Sequence, residues 1–249
     1  MEVLGKALAH VARLTSVAQL MASPQKWPAD NVWSGIEAQA FARHDETSDG
    51  DFYRTPRLVN HIDDGAIGAL TEHYSRTFTP GGGKALDICS SWVSHYPTHH
   101  GLSRVDITGM NGPEMDKNPV AAHSIVKDLN VEPVLPYPDR SFDFVTCVVS
   151  IDYLSNPMAV FREVNRVLKP GGMFINSFSN RCFPSKVTAV WSNTSDLQHV
   201  WIVGSFYQYS GFEQIEMLDL KSEERPAGND PMYVVQGRKP AEDTVRSDL

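Results

Sequence analysis

Short apolar runs alternate with helical or turn-rich stretches between Lys84 and Phe178, and that alternation leaves the chain few architectures. Lys84 to Ile88 (KALDI), bounded by turn formers, reads as a buried strand, and Val105 to Met110 (VDITGM) reads as a second. Ser124 to Asp128 (SIVKD) is a weaker third, Phe142 to Ser150 (FDFVTCVVS) a fourth rich in β-branched residues, and Met173 to Phe178 (MFINSF) a fifth. Before the first strand, Ile67, Leu70 and Tyr74 fall at helical spacing behind an aspartate cap, so a helix is predicted from Asp64 to Thr77, stopped by Pro80 and Gly81 to Gly83. After the fourth, Asn156 and Pro157 open a helix whose stripe is Val160, Phe161, Val164, Val167 and Leu168, and Pro170 to Gly172 end it. Strands joined by helices require a parallel sheet with right-handed crossovers.

The C-terminal part breaks the alternation. Val200 to Phe212 reads as a core helix and its exit, followed by strand candidates Phe212 to Leu220 and Met232 to Gly237. The polar KSEERPAGNDP between these two strands is too short and proline-rich for a crossover helix, so they are predicted to pair antiparallel. The expected fold class is therefore α/β, a seven-stranded, mostly parallel sheet ending in an antiparallel hairpin.

Composition narrows the function classes. With 41% hydrophobic and 21% charged residues, the 249-residue chain can build a core and lacks the charge bias of a disordered one. Its 22 basic and 30 acidic residues give a net charge of -8, which argues against a nucleic-acid partner, and no apolar run approaches the roughly 20 residues that cross a membrane. Three cysteines, Cys89, Cys147 and Cys182, do not make a disulfide scaffold and point to a reducing compartment, the cytoplasm by default. Val3 to Pro28 carries Lys6, Arg13 and Lys26 and no acid, so it reads either as an amphipathic helix (LGKALAHVARLTSVAQLM) packed on the domain or as an address to an organelle such as a chloroplast or mitochondrion. Residues 27–57, with Pro28, Pro56 and DETSDGD, read as an irregular surface segment. The expected organisation is a cap over 1–83, a domain over 84–239 and a solvated tail over 240–249.

In an open parallel sheet, ligands bind beyond the carboxyl ends of the strands. There the sequence places Asp87, Cys89, Ser90, Ser91 and Trp92, then Asn111 and Glu114, then Asp128 and Asn130, then Ser150, Asp152 and Tyr153, and finally Ser179, Asn180 and Arg181. A cofactor with a ribose, an adenine and a charged amino-acid end suits that order, Asn111 meeting the ribose and Asp128 the adenine amino group. Each has a plainer reading, Asn111 as a turn residue before Gly112 and Pro113, Asp128 as an Asx turn with Asn130. His99, His100 and Cys89 match no standard zinc spacing, and no metal site is expected.

The strand ending in Asp87, then Asn111, then Asp128-Leu129-Asn130, then SFDFVTCVVSIDYL, LKPGGMFINSF and a closing hairpin resembles the class I S-adenosylmethionine-dependent methyltransferases of the small-molecule type. SSWVSHYP, KDLN, SFSNRCF and IVGSFYQYSGF are similar to plant, algal and cyanobacterial methyltransferase-domain (type 11-like) proteins, over about Phe52 to Lys239. The resemblance implies a Rossmann-like fold under an N-terminal helical cap, S-adenosylmethionine as cofactor, a small-molecule methyl acceptor, and no nucleic-acid or membrane partner, as monomer or homodimer. Carried over by position, it implies cofactor contacts from Asp87, Cys89, Ser90, Ser91, Trp92, Asn111, Asp128, Leu129 and Ser150. Read from the chemistry of the residues themselves, the candidate substrate contacts are Tyr53, Trp92, Tyr96, Asn180 and Arg181, and the candidate catalytic groups are Asp152, Tyr153, His61 and His95, the histidines because their ordinary pKa lies near neutrality.

Two positions depart from that pattern. Cys89-Ser90-Ser91 stands where the family has G-x-G, and Asn111 stands where it has an acid. A binding or regulatory protein that has kept the fold and lost the chemistry is the alternative those departures motivate. A nicotinamide-dependent oxidoreductase is disfavoured because no G-x-G-x-x-G follows KALDI.

Overall fold

The computed structural model describes residues 2–23, 27–78, 82–220 and 229–241. Its strands are β1 (Lys84–Ile88), β2 (Arg104–Gly109), β3 (His123–Val126), β4 (Phe142–Val148), β5 (Leu168–Phe178), β6 (Glu213–Asp219) and β7 (Tyr233–Arg238). They form one sheet in the order β3-β2-β1-β4-β5-β7-β6. The first five strands are parallel and β6 and β7 pair antiparallel, as the sequence predicts; β7 also runs antiparallel to β5. From β1 the chain steps outward through β2 to β3 and then returns to the other side of β1 with β4. Connections leaving β1 and β4 therefore diverge, and a crevice opens at that reversal.

Helices α1 (Glu2–Val11) and α2 (Val17–Ala22) and the single turns α3 (Glu37–Ala40) and α4 (Asp49–Phe52) precede the sheet. Helix α5 (Asp64–Thr77) leads into β1, α6 (Gly112–Met115) follows β2, α7 (Pro157–Val167) joins β4 to β5, and α8 (Ala189–Ser192) and α9 (Asp196–Tyr209) join β5 to β6. The predicted caps are in place: Asp63 accepts from the Ala66 amide at the start of α5, and Asn156 accepts from the Ala159 amide at the start of α7. Phe161 and Val164 on the α7 stripe are fully buried, each contributing about 2 kcal/mol by removal from water.

Several boundaries differ from the sequence expectation. Leu168 does not finish the α7 stripe; it is extended, pairs with Phe142 and opens β5, with Pro170–Gly172 forming an irregularity before Met173 pairs with Phe144. Helix α9 begins four residues before Val200, behind a Ser195/Gln198 capping box. LGKALAHVARLTSVAQLM is two helices, because Ser16 is extended and its hydroxyl accepts from the Gln19 amide to start α2. The stop at Pro80 and Gly81, Lys26, most of the KSEERPAGNDP connection and the tail beyond 241 lie outside the described residues.

Residues 27–57 lie largely at the surface, as expected, but Val32, Trp33, Ala40, Phe41 and Asp49 are buried and anchor the segment. Helix α9 is apolar on nearly every side and must be covered all round. Trp33 supplies part of that cover: it is wholly buried, its indole N–H donates to the Ser205 hydroxyl (2.9 Å), and its ring packs 5.1 Å from Phe41 and 5.4 Å from Phe206. Leu4, Val11, Val17 and Leu20 from the first two helices join the same core cluster.

Further along, buried charges strap the segment to the chain after β5. Arg43 holds both oxygens of Asp49 (2.9 and 2.6 Å), and Lys186, wholly buried, lies 3.2 Å from Asp49 and 3.3 Å from Asp45. The Lys186 ammonium also donates to the Thr47 carbonyl at 2.6 Å, so each buried charge has several partners.

One glycine is fixed by packing. A Cβ on Gly109, the last residue of β2, would overlap the Ser90 carbonyl oxygen of the loop after β1. Gly109→Ala is expected to destabilise by about 3 kcal/mol and to displace that loop, as read by thermal melting.

Candidate active site

At the carboxyl ends of β1 to β4 lies a cavity of about 310 Å³, within the size of small-molecule sites. The loops after these strands line it, together with Asp49, Tyr53, Arg57, residues 59–62 and residues 181–183, here termed the overhang. Among the predicted site residues, Asp87, Cys89, Ser90, Ser91, Trp92, Asn111, Asp128, Leu129, Ser150, Tyr153, Tyr53, His61, His95 and Arg181 all line it.

The loop after β1 is held from below. Asp87 is buried, accepting at Oδ2 from the Ser90 hydroxyl (2.6 Å) and at Oδ1 from the Thr146 hydroxyl (2.7 Å). Because Thr146 donates to Asp87, the Tyr96 hydroxyl must donate to Thr146 (2.6 Å), which fixes the direction of the chain. Burial raises the Asp87 pKa to about 6 despite the hydroxyl bonds that favour the carboxylate. Next along, Cys89 takes a φ of 53°, the left-handed conformation that glycine adopts freely. His95 (φ 56°) and the β-branched Val149 (φ 42°) are also left-handed. All three line this cavity, so backbone strain is concentrated around it.

The loops after β2 and β3 are built from caps. Asn111 caps α6, its Oδ1 accepting from the Glu114 amide (3.1 Å), and its Nδ2 donates to the carbonyls of Tyr53 (2.8 Å) and Arg54 (3.2 Å) in the overhang. Glu114 accepts at Oε2 from the Ser91 hydroxyl and at Oε1 from the Arg57 amide, both at 2.6 Å. Asp128 uses Oδ1 in an Asx turn with the amides of Asn130 (2.9 Å) and Val131 (3.2 Å). Asn130 ties three segments together, donating to Asp49 and to the Tyr153 carbonyl and accepting from the Ser155 amide.

The overhang is aromatic. The Arg57 guanidinium lies 4.8 Å from the Phe52 ring centre and 5.6 Å from that of Phe183, and the His61 ring meets Phe183 edge-on at 5.4 Å. The Tyr153 hydroxyl accepts from the Phe183 amide (2.8 Å), and burial lifts its phenol far above the ordinary range. Burial likewise lowers the pKa of His61 and His95, which keeps both imidazoles neutral at pH 7. The exposed Arg181 pairs with the buried Asp230 (2.7 Å), and the amides of Asp230 and of Asp63, at the head of α5, each donate to the other's carboxylate.

Comparison with solved structures identifies this arrangement of sheet and crevice. The [4+2]-cyclase SpnF superposes with a TM-score of 0.54 over 78% of this chain and 92% of its own, at 16% identity. A chain of the complex between the Haloferax volcanii Trm112 methyltransferase activator and its methyltransferase gives 0.51 over 72% and 92%, at 14% identity. The fold is that of a class I methyltransferase. Residues 101–176 also match the family model described as Methyltransferase domain, type 11. A demethylmenaquinone methyltransferase from Staphylococcus aureus (strain MRSA252) is 34% identical over 102 residues, 38% of this chain. That match spans 42% of the relative's length.

Within the methyltransferase fold, three predicted residues lie off the cavity wall. Tyr96 is buried in the core, its hydroxyl committed to Thr146. Asn180 is exposed, beside Arg181 and Asp230 in a separate surface hollow. Asp152 points its chemistry elsewhere: it is 3% exposed, its Oδ2 has no hydrogen-bond partner, and burial raises its pKa to about 8. The chain folds this way because Ile151–Tyr153 is a 3-10 turn that sends Tyr153 to the cavity and leaves Asp152 behind it.

Arg57, Phe183 and Lys127 line the cavity without having been singled out in the sequence. SFSNRCF carried a signal for Phe183, whereas Arg57 sits in a turn-rich stretch with none. No group of three or more His, Cys, Asp or Glu among the described residues is placed to hold a metal ion, and no helix among them is long and apolar enough to cross a membrane.

Proposed function

We propose that this chain transfers the methyl group of S-adenosylmethionine to a small, flat, mostly apolar acceptor held beneath residues 49–62. The observation that carries the reading is the convergence of the four strand-end loops and the aromatic overhang on one cavity at the ligand crevice of this fold. Its donor set suits the cofactor: carboxylates at Asp128 and Glu114 for the nucleoside, a small-residue loop at Cys89–Ser91 kept in glycine-like conformation, and aromatic faces at Trp92, Tyr53 and Tyr153 to attract a sulfonium. The cofactor supplies an already activated methyl group, so positioning and exclusion of water are what the chain must add.

The overhang performs both tasks. Residues 1–83 are read as a cap on 84–239 that brings Tyr53, Arg57 and His61 to the cavity. Neutral His61 is the base the geometry favours, since it lines the cavity and burial keeps its proton-accepting form. Curated relatives are named for demethylmenaquinone, and the rings of Tyr53, Trp92, Tyr153 and Phe183 suit a planar acceptor of that general kind. The cysteines Cys89, Cys147 and Cys182 are free, which favours a reducing compartment, cytoplasmic or organellar, in the group of plant, algal and cyanobacterial proteins that SSWVSHYP resembles.

The second reading, a fold that no longer transfers methyl groups, draws on the Cys89–Ser91 departure and on a cyclase having this same fold. Titration with S-adenosylhomocysteine, followed by release of labelled methyl from S-adenosylmethionine to fractionated small molecules, separates the two. Binding with transfer is expected. Absence of binding at high micromolar ligand removes the cofactor reading, and binding without transfer to any fraction favours the second.

A further inference from the structure

Resting on the cofactor reading above, we infer that the ribose ligand of this chain is Glu114 and not Asn111, the recognition group having moved one helical turn along. Every functional atom of the Asn111 side chain is already engaged in holding the fold: Oδ1 caps α6, and Nδ2 binds two carbonyls of the overhang. An amide so committed has both donors directed at protein and keeps one free lone pair on its single oxygen, too few to receive two hydroxyls. Glu114 stands three residues on, at the same end of β2, and its carboxylate belongs to the cavity wall.

The direction taken by Glu114 supports the transfer. Asn-x-x-Glu at a helix start is the sequence of a capping box, in which the glutamate turns back to the amide of its own cap residue. Glu114 instead reaches outward, to the Ser91 hydroxyl in the loop after β1 and to the Arg57 amide in the overhang. Each oxygen accepts one bond there, which leaves lone pairs on both for a further donor pair. Two adjacent hydroxyls are such a pair, and a carboxylate binds them more strongly than a neutral amide. Thus the loop that carries the cofactor, the segment that covers it and the ribose would meet at one charge.

The test compares S-adenosylhomocysteine with its 2′-deoxy analogue by calorimetry, on the full chain and on Glu114→Gln. The parent chain is expected to prefer the ribose form by about tenfold or more, and Glu114→Gln to lose most of that preference along with affinity. A merely structural role would weaken both ligands alike and leave their ratio unchanged, so an unchanged ratio in a folded Glu114→Gln overturns the inference. Should that variant fail to fold, Glu114→Asp carries the test: its shortened carboxylate is expected to lower the ratio, and an unchanged ratio again overturns the inference. A parent chain that binds both ligands equally overturns this inference alone; one that binds neither overturns the cofactor reading as well.

Discussion

Asp152→Asn is expected to raise the melting temperature at pH 8 by several degrees and, on the proposed activity, to keep methyl transfer within about threefold of the parent. The stability half follows from burial. Asp152 is fully buried with an unpartnered Oδ2, and its pKa is pushed up to about 8 from an ordinary value of 3.8. The folded state therefore keeps a proton that the unfolded chain loses, and stability falls as pH rises from about 4 to about 8. At pH 8 the penalty is of the order of several kcal/mol, whereas asparagine has no proton to lose. Melting curves of the two proteins should converge near pH 4 and separate steadily above it. Parallel curves across that range would contradict the assignment. The activity half follows from placement: a general base removed from a cavity costs about 100-fold, and Asp152 is not on its wall.

Lys186→Met should have a comparably large effect in the opposite direction, about 3–5 kcal/mol of lost stability. Lys186 is the wholly buried cation that joins the chain after β5 to Asp45, Thr47 and Asp49. Removing it leaves Asp49 with Arg43 and Asn130 but takes away the donor to the Asp45 and Thr47 carbonyls, leaving this backbone the Asp45 amide bond to Ser185. Because Asp49, Tyr53, Arg57 and residues 59–62 belong to the overhang, the damage spreads to the site. Trypsin should then cut at Arg54 and Arg57 in the native state, and affinity for S-adenosylhomocysteine should fall with the same variant. An unchanged melting temperature with cleavage at Arg54 and Arg57 no faster than in the parent would show that the strap is dispensable.

Why some of this was legible in sequence and some was not has a physical answer. β1 and β4 are short, apolar runs and the apolar stretch of β5 follows Pro170–Gly172, so local pattern and long-range pairing agree. Right-handed crossovers do not by themselves fix the strand order; the reversal at β1 is seen in the fold, and it brings Asp87, Asp128 and Ser150 to one edge. Trp33 was lost in a polar, turn-rich stretch because its burial depends on a hydroxyl at Ser205, 172 residues away. Asp152 and Tyr153 are neighbours in the chain, yet a single 3-10 turn decides which of them faces the cavity. Asn111 and Glu114 both stood at the correct strand end, but only side-chain hydrogen bonds show which is occupied. The left-handed backbone of Cys89 and Val149 could not be foreseen, since neither residue type favours it.

Ultraviolet cross-linking of S-adenosylmethionine labelled in its methyl group, followed by peptide mapping, tests the site most directly. Label is expected on peptides carrying residues 87–92 or 149–153, from the walls around the strand reversal, and excess S-adenosylhomocysteine should abolish it. Competable label confined to peptides remote from that edge, or no competable label at all, would contradict the account.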